Sequence, residues 1–499
     1  MLSQKKIETR IKQVANSYQK FLFQTESPKL LRSCQFVYHL IRNIALFRAK
    51  IIRNIDILIE NVEDSNDKYF LIVFRDLILF YRPRILFVFQ RKVKEKIKFP
   101  DGTKKSLGET ESILLYSSKE KNSQVLDGYI KIKTHHAFDN LSIVNRMHQY
   151  AKRAGCSSYM ELFLKNSDLN PIKLKNACEV IIEQTMETYR VLLSKLLQFF
   201  YRKTIDEANL TDIWNIFAEQ FKISDNFEFK SVEKLLFELP MVKFLCPNPK
   251  ISFQVDYNHK NCLTGIVNDR HQLKIKIQMT KSKESASLNG IFHEYGHAIH
   301  LLNVNGENDP LFPLIADSTI TETIAFLFES LVLEEKINSK IPMKEENRKE
   351  ILKFFLLFRW LYRLRKSALH YITRYEILSH PENLNFNSLK QIQVNVKSLY
   401  KQFFLIDHPC YDFLDNINEN FFLDANYLRA HIMCFKIRSS LVNNFGDDWW
   451  EKEETGKFLQ EKWFQYGFSL PMIDLIPNLS RDIYSPSKII TAFQSDFIC

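Results

Sequence analysis

Ten residues, Ile291 to His300 (IFHEYGHAIH), constrain this chain more than any other stretch. Around them Leu288, Ile291, Phe292, Tyr295, Ala298, Ile299 and Leu302 recur at helical spacing, which predicts a buried helix rather than a surface turn. His293 and His297, four residues apart, then project about 40° from one another at roughly 100° per residue. Two imidazoles so placed can converge on one metal ion. Glu294 sits one residue round from His293, beside an ion rather than over it, where a general base for an activated water belongs. A pattern this short also arises by chance, and its bland reading is two core histidines with satisfied hydrogen bonds. Gly296 adds a further sign. Glycine costs a helix interior ~1 kcal/mol, so something is expected to approach this helix closely there.

The next helix is predicted over about Ser318 to Glu335 (STITETIAFLFESLVLEE). Glu322 lies 25 residues beyond His297, and Glu329 a further seven, on the same helical face. Zinc held by two histidines needs a third protein ligand, and a carboxylate from a neighbouring helix leaves the fourth position for water. Glu322 is the expected ligand, with Thr319-x-x-Glu322 as a capping box the competing use of the same residue. Glu329 suits the role of holding a ligating histidine in its tautomer.

The rest of the chain reads as a mostly helical frame. At 499 residues it exceeds the usual limit for one compact core, and two lobes are expected. They are residues 1–230, with a polar surface insertion at 99–132 after the Pro100-Asp101-Gly102 turn, and residues 231–499, carrying the metal site. Glycine is scarce at 11 residues, which favours long helices over tight turns. The pattern predicts helices over Cys178 to Phe200 and Ile351 to Ser379, and a cap at Ser157 or Ser158 after a break at Gly155. Between 251 and 279 the period changes to two. Ile251 to Tyr257 and Gln272 to Met279 alternate as strands of a small sheet just before the metal helix. An edge strand there could pair with an extended peptide, or serve as a structural hairpin. Further on, Asp424 to Phe445 places Tyr427 and His431 four apart on one helical face, where a phenol and an imidazole could steady an oxyanion, or form an ordinary helix edge.

Charge and cysteines exclude several classes. The net charge is +11, but Lys and Arg are interleaved with Asp and Glu, as on a solvated basic surface, so no nucleic-acid partner is expected. Eight scattered cysteines without C-x-x-C read as reduced cytosolic thiols, and the N-terminus has no secretory pattern. A cytoplasmic protein is expected. The apolar run Tyr69 to Gln90 is divided by Arg75, Asp76, Arg82, Pro83 and Arg84 into pieces too short to span a bilayer, so membrane association is not expected.

Four features together resemble a known group. HEYGHAIH is similar to the H-E-[FLMY]-G-H-A-x-H of the thimet-oligopeptidase and oligoendopeptidase-like zinc metallopeptidases, and TETIAFLFE is similar to their ligand helix. YAKRAGCSSYMELFL, and the segments around LYRLRKSALHYITRYEILSH and DANYLRAHIMCFKIRSSLVNNFGDDWW, also resemble that group. The resemblance spans about residues 141 to 467. It implies a neurolysin-like helical ellipsoid of two lobes around a deep channel, with a small sheet beside the zinc helix. It implies one Zn²⁺ per chain, held by His293, His297 and Glu322, and short peptides as substrate. It also raises Tyr427 as the residue that stabilises the tetrahedral intermediate. The group's usual glycine-tyrosine region is absent, Asp424-Ala-Asn-Tyr427 standing in its place. His431 and Arg429 stay open as alternatives, as does the choice between endopeptidase and carboxypeptidase action.

The expected function is therefore zinc-dependent hydrolysis of short peptides, with Glu294 taking a proton from the attacking water and passing it to the leaving amine. Two rivals are a non-catalytic relative whose channel binds peptides or a partner, and a membrane-surface protein using Tyr69 to Lys98. An intact Glu294 argues against the first, since a binder has no need of that base.

Overall fold

The computed structural model describes residues 49–63, 96–99, 102–106, 119–165, 169–218, 229–247, 251–256, 265–269, 274–280, 288–304, 318–340, 349–380, 386–408, 417–466 and 483–496, with Lys68, Leu71, Ile72, Arg75, Leu79 and Thr110 between them. The N-terminus and most of the apolar run at 69–90 lie outside them. Among the described residues no helix is long and apolar enough to cross a membrane.

The chain is mostly α. In order it forms α1 (Ala49–Asn61), the hairpin β1 (Lys96–Lys98) and β2 (Lys104–Ser106), α2 (Lys119–Ala154), α3 (Tyr159–Leu164), α4 (Pro171–Gln184), α5 (Met186–Tyr201), α6 (Leu210–Ala218), α7 (Phe229–Glu238) and α8 (Pro240–Leu245). A three-stranded sheet follows, β3 (Ile251–Asp256), β4 (Gly265–Asp269) and β5 (Lys274–Thr280). Then come α9 (Leu288–Asn303), α10 (Ser318–Ser330), α11 (Glu335–Asn338), α12 (Lys349–Ser379), α13 (Phe386–Phe404), α14 (Ile417–Phe445), α15 (Glu453–Leu459) and α16 (Ser487–Thr491).

Several boundaries follow from single residues. Gly155 ends α2 with φ +94°, a conformation that favours glycine. Ser158, one of the two expected caps, accepts from the Glu161 amide at 3.0 Å, and the Ser157 amide donates to the Glu161 carboxylate at 2.7 Å. The stretch read as a surface insertion, 99–132, holds a β-hairpin strand and the start of α2. Its Val125 and Tyr129 are buried against the core, so that part is packed helix and not an insertion on the surface. The continuous helix expected over 178–200 is in fact two. It breaks at Thr185, whose hydroxyl donates to Ile181 O at 2.6 Å and accepts from Arg365 Nη1 at 2.7 Å. Arg365 is fully buried on α12 and also donates to Ile182 O and Phe403 O, both at 2.6 Å. Those carbonyls are in the last turns of α4 and α13, where helix dipoles supply the negative charge that a buried guanidinium needs.

α12 is the central strut. Leu357, Phe358, Trp360, Leu361, Leu364, Ala368, Leu369 and Tyr371 are fully buried, and the helix packs on α4, α5 and α14. It is tied to α14 by Arg374 and Asp424, an ion pair near the start of the segment that carries Tyr427. Trp449, Trp450 and Trp463 are core.

The sheet runs in the order β3-β5-β4, with β3 parallel and β4 antiparallel to the central β5. The two alternating stretches become β3 and β5. β4 (GIVND) is too short to show a period and was not expected. β4 and β5 both pack against α9, which places the small sheet beside the predicted metal helix.

Candidate metal centre

Two helices build the site. α9 carries His293, Glu294 and His297, and α10 crosses it closely enough that a Cβ on Gly296 would lie 2.8 Å from Ala325 Cα and 3.0 Å from Ile324 O. This is the close approach that the glycine pointed to, and it comes from the very helix that bears Glu322. The structure brings His293, His297 and Glu322 together, one ligand atom of each lying within 4.8 Å of the others. His293 Nε2 is 3.2 Å from Glu322 Oε2 and His297 Nε2 is 3.8 Å from Glu322 Oε1. The carboxylate thus lies against both imidazoles.

The outer nitrogens are also held. His293 Nδ1 lies 3.2 Å from Glu329 Oε2, and His297 Nδ1 lies 2.7 Å from Thr321 Oγ1. Glu329 is fully buried, accepts from Asn289 Nδ2 at 3.2 Å, and pairs with Arg363 of α12. Burial opposes its ionisation, but Arg363 and His293 outweigh that and hold its carboxyl down at about 2. It is a fixed negative charge behind His293. Asn289, Thr321 and Arg363 were not legible as site residues, since each meets the cluster only through the packing of three helices.

α14 contributes the remaining groups. The Tyr427 phenol faces Glu322, and burial together with the Glu322 and Glu294 carboxylates pushes its pKa up, so it stays a neutral donor. His431 stacks on Phe326 with ring centroids 3.8 Å apart, and Phe326 in turn lies 5.2 Å from the His293 ring. Trp360 Nε1 donates to His431 Nδ1 at 3.1 Å, which leaves the ring proton on Nε2. Burial lowers the His431 pKa to about 3, so it too is neutral. Arg429, two residues round the helix from Tyr427, bonds Asn426 and lies near Tyr371, away from the cluster. His300 is buried and packs on Phe464 at 5.5 Å instead of joining the ligands.

Whether an ion fits can be tested on the Glu322 carboxylate. Its Oε2 is buried with no hydrogen-bond partner although His293 Nε2 is only 3.2 Å away. The 3.2 Å between Glu322 Oε2 and His293 Nε2 is the separation of two ligands sharing an ion. In a tetrahedral zinc site with bonds of about 2.0–2.1 Å the ligand atoms are about 3.3 Å apart. Two imidazoles and one carboxylate are also a donor set that zinc accepts.

Protonation gives a direct check. Burial lowers the pKa of His297 to about 4, whereas for His293 burial is outweighed by Glu322 and Glu329, which raise it to about 10. Metal-free protein therefore carries a proton on His293 at neutral pH, and an ion must displace it. Zinc binding at pH 7.5 is expected to release close to one proton and to tighten about tenfold per pH unit from 7 towards 10. Calorimetry in two buffers of different ionisation enthalpy counts that proton, and no release would contradict the assignment. The contribution of His293 to the metal-free fold is complete below about 6.5 and is lost as pH rises through about 10, so metal-free protein should melt lower at pH 10 than at pH 7.

No family model matches the sequence, and no curated protein matches it. Solved structures do. A PZ peptidase A with an inhibitor superposes at TM-score 0.61 and 12% identity, covering 98% of this chain and 85% of the other. Trypanosoma cruzi metallocarboxypeptidase 1 gives 0.60 at 13%, covering 99% and 98%. A Pyrococcus furiosus carboxypeptidase gives 0.59 at 12%, covering 98% and 99%. Two of these three are carboxypeptidases, so the comparison does not single out the thimet group that the motifs resemble. What it shows, together with the mostly helical architecture, is that this chain has the fold of the helical metallopeptidases.

Proposed function

We propose that this chain is a zinc-dependent peptidase acting on short peptides. The observation that carries the reading is the His293, His297 and Glu322 cluster with Glu294 on the same helix. When bound, a zinc ion supplies a Lewis acid that lowers the pKa of water and polarises a carbonyl. Glu294 takes the proton of the attacking water and hands it to the leaving amine. Tyr427 and His431, both neutral, donate to the oxyanion as the carbonyl becomes tetrahedral. Glu329, with its charge fixed by Arg363, keeps His293 oriented throughout.

The sheet has a place in this reading. Among the described residues β4 is an edge strand packed on α9, and an extended peptide added along it would be held by main-chain hydrogen bonds. The lobes 1–230 and 231–499 would flank the channel in which that peptide lies. Cys156, Cys178 and Cys434 are buried thiols, in keeping with a cytoplasmic placement.

The test is chemical. Purified protein should hold one zinc per chain and cleave a quenched library of peptides of graded length, and a chelator should abolish cleavage until zinc is restored. Product mass spectrometry then reads whether single residues leave the C-terminus or internal bonds break. Zinc-loaded protein that binds library peptides without cutting them would support the non-catalytic reading instead.

A further inference from the structure

α10 delivers more than a carboxylate ligand. Both outer nitrogens of the histidine pair are met by this one helix, His297 Nδ1 by Thr321 and His293 Nδ1 by Glu329 two turns later. The two partners differ in kind. Glu329 is a buried carboxylate backed by Arg363 and Asn289, whereas Thr321 offers a neutral hydroxyl.

A hydroxyl can donate or accept, and the two cases have opposite consequences. If Thr321 donated to Nδ1, the ring proton would sit on Nε2 and block that nitrogen as a ligand. Distances decide between them. A ligating imidazole is neutral and carries one proton, which goes to the nitrogen that has an acceptor in reach. Nδ1 has the Thr321 oxygen at 2.7 Å, while Glu322 Oε1 lies 3.8 Å from Nε2, beyond hydrogen-bonding reach. The proton therefore belongs on Nδ1 and the hydroxyl accepts it.

We propose that Thr321 is the positioning residue of His297: its hydroxyl accepts the Nδ1–H, fixes the ring, and leaves Nε2 as the ligating atom. Thr321 does not touch the ion, and the assignment rests on the metal-site reading above. The arrangement is asymmetric by construction, with an anion behind one histidine and a neutral acceptor behind the other. Thr321 and the ligand Glu322 are consecutive, so a single rotation of α10 about its axis would misplace both.

Removing the acceptor at nearly constant volume tests this. Thr321→Val should weaken zinc binding about 10–100-fold, the range for partners of ligating histidines, as read by competition with a chromophoric chelator at fixed pH. Thr321→Ala should do the same. Thr321→Ser, which keeps the oxygen, should restore affinity to within about threefold of wild type. The melting temperature of each metal-free variant should match wild type, and the visible spectrum of Co²⁺-loaded protein should change in Val and Ala but not in Ser. A Val or Ala variant that binds zinc as wild type does would overturn the assignment, as would a Ser variant that fails to restore affinity. Wild-type protein that takes up no zinc would overturn the metal-site reading, and the role of Thr321 with it.

Discussion

Replacing Glu294 with glutamine should leave zinc binding unchanged and lower peptide turnover about 10²–10⁴-fold, the usual contribution of a positioned general base. Size and helix position are conserved by the change, and the three candidate ligand atoms lie on other residues. What disappears is a carboxylate one residue round from His293, which a hydrolase requires and a binder does not. The loss should fall on kcat more than on KM, because the proton moves after the peptide is seated. Zinc content by atomic absorption and turnover of a library peptide are the two measurements. A variant that kept zinc and cut at the wild-type rate would remove Glu294 from the mechanism, while one that lost zinc would show that the residue supports the ligands instead.

The second large effect is expected at a residue without a side chain. In Gly296→Ala the new methyl would meet Ala325 Cα at 2.8 Å, Ile324 O at 3.0 Å and Phe328 Cβ at 3.1 Å. Two of those atoms are backbone, so no flexible side chain can yield, and α10 must move away from α9. Alanine gains helix propensity of ~1 kcal/mol, but overpacking of a tight core costs roughly 1–3 kcal/mol, so the net change should be destabilising. The displaced helix bears Thr321, Glu322 and Glu329, and zinc affinity should fall along with the melting temperature. Thermal unfolding and zinc titration together check it. A variant that melted higher than wild type and bound zinc equally would mean that the close crossing is not what the glycine serves.

These two expectations differ in how they could be reached. Glu294 is legible from H-E-x-x-H alone, because i and i+4 histidines share a helical face whatever surrounds the helix. Gly296 could be flagged from the cost of glycine in a helix, but the name of the approaching element could not. Glu322 stood in the sequence with two uses, ligand and cap, and only the crossing of α9 and α10 places its carboxylate against both imidazoles. The helix expected over 178–200 shows the limit from the other side. Its apolar period runs on through Thr185, and the break there is imposed by Arg365 from a helix some 180 residues later. Likewise β4 carries no alternation that would announce it, and becomes a strand by pairing with β5.

What the sequence by itself determined is whatever depends on neighbours along one helix: a histidine pair on one face, Glu294 beside it, Glu322 and Glu329 in register, and a frame of long helices. Spacing of three, four or seven residues sets those relations through the 3.6-residue turn, with no need of a partner. What only the tertiary structure decided is which groups lie behind the histidines. Thr321, Asn289 and Arg363 come from positions whose periodicity says nothing about chemistry, and the last is contributed by a third helix. Their roles depend on how far α10 is rotated and how closely it approaches α9, and that distance is set by the missing side chain at Gly296.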